Sequence, residues 1–161
     1  MTGSRLVSLY WSLSLAILAF GLDRGHKYYQ LELQGWRGGE GIRVTDFFDY
    51  VLRWNPGISY GLLENMPVYV LVGIMVVAIG ALSVWWFRAE TPLLRAGLAL
   101  AIGGALSNFL DRLLYGAVAD FFHFHWGSWS FYIFNIADAA ITCGVLLLVL
   151  DLFGIGQSKR A

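Results

Sequence analysis

The stretch that decides the fold runs from Asn108 to Asp138 and reads NFLDRLLYGAVADFFHFHWGSWSFYIFNIAD. It begins inside one long apolar segment and ends inside another. If the chain is a membrane protein, this stretch places several polar groups at or near hydrocarbon, where their burial is energetically costly. These are Asn108, Asp111, Arg112, Asp120, Asn135 and Asp138. Ionisable side chains are rare and expensive within a bilayer, so we interpret these residues as candidates for function.

The composition is typical of an integral membrane protein. The chain has 161 residues, of which 58% are hydrophobic and 14% charged, whereas roughly a quarter of a soluble domain is charged. Its net charge is zero and it has no basic block, which argues against a nucleic-acid partner. The single cysteine, Cys143, excludes an intramolecular disulfide, and its apolar surroundings favour a role in helix packing.

Four apolar segments have about the 20 residues that a spanning helix needs. They are residues 6–22, 68–87, 93–114 and 131–153. The first follows Arg5 and lacks a small-residue cleavage site, so we interpret it as a retained span and not as a signal peptide. We therefore predict an all-α integral membrane protein with four transmembrane helices, forming a single domain over residues 1–161.

The charges near the span ends predict the orientation. An even number of spans places both termini on one side, where Arg5, the turn at Arg88–Arg95, Lys159 and Arg160 supply positive charge. Such charge favours the cytoplasmic side. The outer loops are then residues 23–67 and 115–130. In the first loop, β-branched and aromatic residues at Ile42–Tyr60 predict short strands or a small sheet on the membrane surface.

This topology gathers the costly polar groups into one layer near the outer membrane face. The layer contains Asp23, Lys27, Asn55, Asn108, Asp111, Arg112, Asp120, Asn135 and Asp138. The inner half of the bundle is expected to be nearly pure hydrocarbon. A channel or transporter needs polar groups along a path, whereas this pattern predicts one cavity that opens near the outer leaflet.

Helical spacing groups the polar residues on the third span. Asn108, Asp111 and Arg112 are three and four residues apart and share a face. Gly104 lies one turn earlier on the same face. For Asp111 and Arg112 we favour a structural polar network that joins the spans over a direct part in chemistry.

The same spacing pairs residues on the first and fourth spans. Asp23 and Lys27 are four residues apart, and Asn135 and Asp138 are three apart. The pair of Asp23 and Lys27 is equally compatible with an ion pair that anchors a helix end and with substrate handling.

Asp120 and Asp138 have no adjacent basic partner. Two carboxylates that are held close together cannot both ionise cheaply, so one keeps its proton. The pair then provides a base to activate water and an acid to polarise a carbonyl, as in aspartic proteases. Proton relays and ion sites also use carboxylates in membrane bundles, and the residues alone leave these alternatives open.

Metal and serine chemistry have less support. His123 and His125 would share a face of a strand and could join Asp120, but no further His or Cys is placed to complete a site. We interpret them as part of an interfacial aromatic-rich strand and expect no metal. No serine lies in a recognisable nucleophile-elbow motif.

At these residues the chain resembles lipoprotein signal peptidase, or signal peptidase II, a family of bacterial aspartic intramembrane proteases. The resemblance covers nearly the whole chain and is strongest in two long motifs, GGALSNFLDRLLYGAVADF at 103–121 and FNIADAAI at 134–141. Two shorter motifs match as DRGHK at 23–27 and WNPGISYG at 54–61. The family commonly has DQxxK at the first of these, so Arg24 and His26 are departures.

The resemblance implies a site and a fold. It implies that Asp120 and Asp138 are the catalytic pair, and that the other matched positions support the site or bind substrate. Those positions are Asp23, Lys27, Asn55, Gly57, Gly104, Asn108, Asp111, Arg112 and Asn135. It also implies four spans with a β-platform and a short surface helix in the first outer loop, part of which Leu62–Pro67 would form.

The resemblance further implies removal of the signal peptide from diacylglyceryl-modified prolipoproteins, just before the lipidated cysteine. The expected partners are these substrates and membrane lipids, without a cofactor. The expected setting is the bacterial plasma membrane, with the site near its outer face, and we expect a monomer. Two other hypotheses are a small ion or proton carrier and a non-catalytic assembly subunit, which would tolerate Asp120→Asn.

Overall fold

The computed structural model describes residues 3–57 and 66–155. Its four helices are α1 (Gly3–Tyr28), α2 (Val68–Arg88), α3 (Pro92–Tyr115) and α4 (Ile136–Leu152). A π-helical turn, Tyr29–Leu33, continues α1. Among the described residues, three helical segments are long and apolar enough to cross a membrane: Leu6–Leu33, Val68–Arg88 and Pro92–Tyr115. These agree with the first three predicted spans.

The fourth predicted span begins later than expected. Asn135 caps α4, because its side chain accepts a hydrogen bond from the Asp138 backbone while the Asp138 carboxylate accepts one from the Asn135 backbone. This reciprocal pair satisfies free amides at the helix start and fixes the first helical residue at Ile136. The preceding residues are extended, and Phe134 forms a bridge with Phe122. With 17 residues, α4 is about 25 Å long, so the fourth crossing stays a prediction.

One four-stranded antiparallel sheet covers the end of the bundle. Its strands are β1 (Gly41–Arg43), β2 (Phe48–Asn55), β3 (Val118–Trp126) and β4 (Trp129–Ser130), in that order across the sheet. We assigned the β-platform to the first outer loop, but β3 and β4 come from the second, where the aromatic-rich strand at His123 and His125 was predicted separately.

The predicted surface helix at Leu62–Pro67 lies outside the described residues except for its last two, which are not helical. The C-terminal end of the predicted strand segment, from Ile58 to Tyr60, also lies outside them.

The helix α3 is central and packs against the other three helices. Glycines make this possible, because a Cβ atom on Gly97 would lie 2.7 Å from the Gly144 carbonyl oxygen. A Cβ atom on Gly104 would overlap the backbone of Ala137 at the start of α4. Small residues that admit a neighbouring backbone are the usual means of close packing between membrane helices. The close packing at Gly104 holds the first turn of α4 against α3.

The end of the bundle away from the sheet is not pure hydrocarbon, contrary to expectation. Arg95 is buried there, and its guanidinium donates to the backbone carbonyl of Ala89. The Thr91 hydroxyl donates to Asp151 over 2.5 Å. The Arg95 contact closes the α2–α3 turn, because a buried polar group must find a partner, and the Thr91 contact ties that turn to the end of α4.

Candidate active site

The predicted polar residues meet at the end of the bundle that the sheet covers. The C-terminal part of α1 carries Asp23 and Lys27, that of α3 carries Asn108 and its neighbours, and the first turn of α4 carries Asp138. Strand β3 adds Asp120. The structure therefore brings the two predicted catalytic carboxylates into one cluster, although they lie on different elements.

Asp120 is almost fully buried, with 2% of its surface exposed, and its carboxylate accepts hydrogen bonds from two amides. Asn135 Nδ2 donates to Oδ1 over 2.7 Å, and Asn55 Nδ2 donates to Oδ2 over 3.1 Å. In the described part of the chain, no lysine or arginine forms an ion pair with it.

Asp138 receives a matching set of hydrogen bonds. Asn108 Nδ2 donates to its Oδ1 over 2.8 Å, and the Asn135 backbone amide donates to its Oδ2 over 3.2 Å. Asn135 thus joins the two carboxylates, because its side chain binds Asp120 and its backbone binds Asp138. The sequence predicted that Asn135 belongs to the site but not that it makes this link. The N-x-x-D pattern, which is typical of a capping box, could have indicated the contact between Asn135 and Asp138.

Each of the three asparagines is held with its NH₂ group toward a carboxylate. Asn135 Oδ1 accepts from the Asp138 backbone amide over 2.8 Å, and Asn55 Oδ1 accepts from the Gly57 amide over 3.1 Å. Asn108 Oδ1 accepts from Lys27 Nζ over 3.1 Å. Because these partners can only donate, each oxygen must face them, and each NH₂ group must face the opposite way. The amide orientations follow from the network itself.

Lys27 is a buried junction between two other carboxylates. Its Nζ lies 2.7 Å from Asp23 Oδ2 and 2.7 Å from Asp111 Oδ2, and all three side chains are fully buried. Asp23 also accepts from the Ala137 amide over 2.9 Å and from the Ser107 hydroxyl over 2.6 Å. The geometry therefore favours a structural part for Asp23 and Lys27, since neither is open to a substrate.

Asp111 binds Arg24 as well as Lys27, and its second oxygen accepts from the Ala119 amide over 3.1 Å. Arg24 also reaches the backbone carbonyl of Ser107. Sequence analysis noted Arg24 only as a departure from the family pattern. No local signal links it to Asp111, which is 87 residues away.

Arg112 takes a different partner from its neighbour on α3. Its guanidinium donates to the backbone carbonyls of Gly57 and Asn108. It therefore holds in place the turn that follows β2, the strand that ends at Asn55. Of the predicted positions, Asn55 lies at the end of β2 and binds Asp120 through its side chain. Gly57 contributes its backbone carbonyl, which accepts from Arg112.

A cavity of about 190 Å³ opens beside Asp138, and the buried Asp120 lies behind its lining. Its polar wall includes Asp138, Asn108, Asn55 and Arg112. The remaining lining comes from Met75, Ala105, Val118, Tyr132, Ile133 and Ile141. A cavity with one polar and one apolar wall is suited to a ligand with both characters.

Burial raises the pKa of Asp120 from 3.8 to about 7, and the charge of Asp138 adds to the effect. The hydrogen bonds from Asn55 and Asn135 and the charge of Lys27 act in the opposite direction. A carboxyl group with a pKa near neutrality can hold or release a proton at physiological pH, which general acid–base chemistry requires.

His123 and His125 do share a face of a strand, as the spacing predicted, but their carboxylate partner is different. Asp49 on β2, and not Asp120, lies beside them. Asp120 is three residues from His123 on β3, so its side chain points to the opposite face of the sheet.

Comparison with known proteins identifies the family of the chain. The family model for signal peptidase (SPase) II matches residues 15–154. The chain belongs to the signal peptidase II family. The lipoprotein signal peptidase of Beijerinckia indica is 44% identical to it over 141 residues, covering 86% of this chain and 84% of the relative. That of Methylorubrum extorquens is 44% identical over 147 residues, with coverage of 85% and 82%.

The fold of this signal peptidase II family member is also found among solved structures. One bacterial membrane enzyme, determined in meso at 2.3 Å resolution, matches with a TM-score of 0.78 and 28% identity over 92% of this chain and 91% of its own. A second, at 1.9 Å, matches with a TM-score of 0.74 and 28% identity over 93% and 94%. Membership of this family and the apolar helices together identify the chain as a bacterial membrane protein from a family of proteases.

Proposed function

We propose that the chain is an aspartic endopeptidase that removes the signal peptide from diacylglyceryl-modified prolipoproteins, cutting N-terminal to the lipidated cysteine. The observation that carries this proposal is the pair Asp120 and Asp138. Asn135 joins the two carboxylates, and asparagine amides of fixed orientation donate hydrogen bonds to them. Membership of the signal peptidase II family supports the choice of substrate.

The pair can perform hydrolysis without a metal or covalent intermediate. At neutral pH one carboxyl group holds a proton and the other is ionised, because burial and mutual repulsion oppose double ionisation. The ionised group accepts a proton from water as the water attacks the scissile carbonyl carbon. The protonated group donates to the carbonyl oxygen, which gives a tetrahedral gem-diol. The group that took the proton from water then passes it to the amide nitrogen, the C–N bond breaks, and the other carboxylate recovers a proton from a hydroxyl as the carboxylic acid product forms. The fixed amides hold both carboxylates in position for this exchange.

The cavity fits an amphipathic substrate. Asn55, Asn108 and Arg112 can contact amide or ester carbonyls of the substrate, while Met75 and Ile141 face its apolar part. A lipid-anchored precursor carries both kinds of group next to its cleavage point. We propose that it enters laterally from the bilayer and that the sheet, with its aromatic residues, covers it from the outer side.

We also propose four spans in the bacterial plasma membrane, with both termini cytoplasmic, and a monomeric enzyme. Asp46→Cys in a Cys143→Ser background tests the orientation, because the Asp46 side chain is 98% exposed in the connection between β1 and β2. It should react with a membrane-impermeant maleimide in intact spheroplasts. Labelling only after lysis would contradict the orientation.

Cleavage of a purified substrate tests the function. The full chain in detergent is mixed with a diacylglyceryl-modified prolipoprotein, and release of the signal peptide is followed by gel shift and mass spectrometry. We expect cleavage by the wild type and by Asp46→Asn, an exposed-carboxylate control, but not by Asp120→Asn or Asp138→Asn. The same precursor without its lipid should be cut poorly. Cleavage by either dyad variant would contradict the mechanism, and indifference to lipidation would contradict the substrate class.

A further inference from the structure

We propose that Asp49, His123 and His125 form a metal site on the face of the sheet opposite Asp120, and that it takes a divalent transition cation such as Zn²⁺. Asp49 lies on β2 and the two histidines on β3, so a bound cation would join two adjacent strands. The cluster is separate from the carboxylate pair, because His123 and Asp120 point to opposite faces of β3.

The distances fit tetrahedral ligation. His125 Nε2 lies 3.1 Å from Asp49 Oδ2, and His123 Nδ1 lies 3.6 Å from the same oxygen. One ligand atom from each of the three residues lies within 4.8 Å of the others. Nitrogen and oxygen ligands about 2.0–2.1 Å from a tetrahedral Zn²⁺ are separated by about 3.3 Å. The two nitrogen–oxygen distances, 3.1 and 3.6 Å, bracket this value.

A buried nitrogen without a hydrogen-bond partner supports the proposal independently. His125 Nε2 is close to Asp49 but lies outside hydrogen-bonding geometry, and no other group in the described residues hydrogen-bonds to it. Buried polar atoms are normally satisfied. A cation between the two side chains would satisfy both the imidazole lone pair and the carboxylate charge.

Ser130 provides the outer support that a metal-binding histidine usually has. His123 Nε2 is 2.7 Å from the Ser130 hydroxyl, and Ser130 lies on β4. When Nε2 donates to this hydroxyl, Nδ1 carries the lone pair and faces Asp49. Such partners fix the tautomer and orientation of a ligating imidazole.

The ligand types select the class of ion. Two imidazoles and one carboxylate favour Zn²⁺ and related first-row ions over Ca²⁺ or Mg²⁺, which prefer oxygen ligands. The three side chains retain between 21% and 27% exposure, so a water molecule can occupy a fourth position. The cation would clamp β2 to β3, the two strands that deliver Asn55 and Asp120 to the site. The inference concerns the sheet and does not depend on the proposed proteolysis.

Metal titration of the full chain in detergent tests this proposal. The protein carries an affinity tag without histidine and is first stripped with a chelator. Binding of Co²⁺ alone is followed by its visible absorption, and Zn²⁺ is then added in competition. We expect saturable binding of about one Co²⁺ per chain with a tetrahedral spectrum, displacement by Zn²⁺ and an increase in Tm with Zn²⁺.

Matched variants separate this site from non-specific binding. Asp49→Asn and His125→Gln should abolish saturable binding, and Ser130→Ala should weaken it about tenfold. Asp46→Asn, which changes an exposed carboxylate that pairs only with Arg43, should bind as the wild type does. The metal-free Tm of each variant verifies its folding. Absence of saturable binding by the wild type, or undiminished binding by folded Asp49→Asn and His125→Gln, would overturn the proposal.

Discussion

Lys27 Nζ donates a hydrogen bond to Asn108 Oδ1 across 3.1 Å in the interior of the bundle. Because a lysine can only donate, this contact turns the NH₂ group of Asn108 toward Asp138, 2.8 Å away. A residue that donates no hydrogen bond to the carboxylate pair thus helps to orient one at the pair, together with Asn135, whose Nδ2 donates to the same Asn108 oxygen over 3.1 Å. The network around Lys27 therefore supports the site as well as the fold.

Replacement of Lys27 should damage both stability and activity. Lys27→Met leaves Asp23 and Asp111 buried without their shared cation, which should cost about 3–5 kcal/mol. It also removes one of the two hydrogen bonds that orient the Asn108 amide, leaving only that from Asn135, so cleavage should fall. Thermal unfolding in detergent and the prolipoprotein assay measure the two effects. Arg43→Met, the control, breaks an exposed ion pair and should change neither stability nor cleavage activity. Equal effects of the two variants would contradict this account.

Arg24 should contribute less than Lys27 to stability. Arg24→Gln restores the residue common in the family and removes the ion pair with Asp111. Asp111 keeps its contacts with Lys27 and the Ala119 amide, so we expect a loss of about 1–3 kcal/mol in unfolding free energy. Chemical or thermal unfolding of Arg24→Gln and the wild type in detergent measures this loss. A loss as large as that in Lys27→Met would show that Asp111 depends mainly on Arg24.

Gly104 should tolerate no side chain. A methyl group there would meet the Ala137 backbone at the start of α4, so Gly104→Ala should destabilise by about 1–3 kcal/mol. It should also slow cleavage by moving Asp138. Gly80→Ala on α2 is the matched control, because no atom lies within 4 Å of its added Cβ. Thermal unfolding and cleavage assays of both variants test the prediction, and similar behaviour would refute it.

The raised pKa of Asp120 predicts a pH dependence of stability. Its pKa is about 7 in the fold against 3.8 for an unperturbed group, so between these values the folded state binds more protons than the unfolded chain. The free energy of unfolding therefore falls as pH rises through this window. Asp120→Asn removes this contribution. Its stability relative to wild type should rise between pH 5 and pH 8, by about 2–3 kcal/mol.

Unfolding of the two proteins at both pH values measures this change. A difference that stays constant with pH would show that Asp120 titrates normally.

Local periodicity predicted much of the fold and site. Spacings of three and four residues fix which side chains share a helix face, so the pairing of Asp23 with Lys27 was visible in the sequence. The apolar segments defined three helices that can cross a membrane. The motif residues around Asp120 and Asp138 were also identified, but on the strength of a family resemblance more than of spacing.

Contacts between distant segments were not predictable. The register between β2 and β3 places Asp49 opposite His123, and no feature of either strand specifies this pairing. A shift of one residue would turn every side chain to the other face. The late start of α4 and the partner of Arg24 likewise depend on how the helices pack together.

The central claim is that Asp120 and Asp138 act as one catalytic unit, and a double-mutant cycle tests it most directly. The measurement is kcat/KM for cleavage of a lipid-modified prolipoprotein by the wild type, Asp120→Asn, Asp138→Asn and the double variant, each verified as folded. Groups that act as a unit show strongly non-additive losses. We predict that each single variant loses as much activity as the double variant. Substantial cleavage by either single variant, or losses that add in the double variant, would contradict the account.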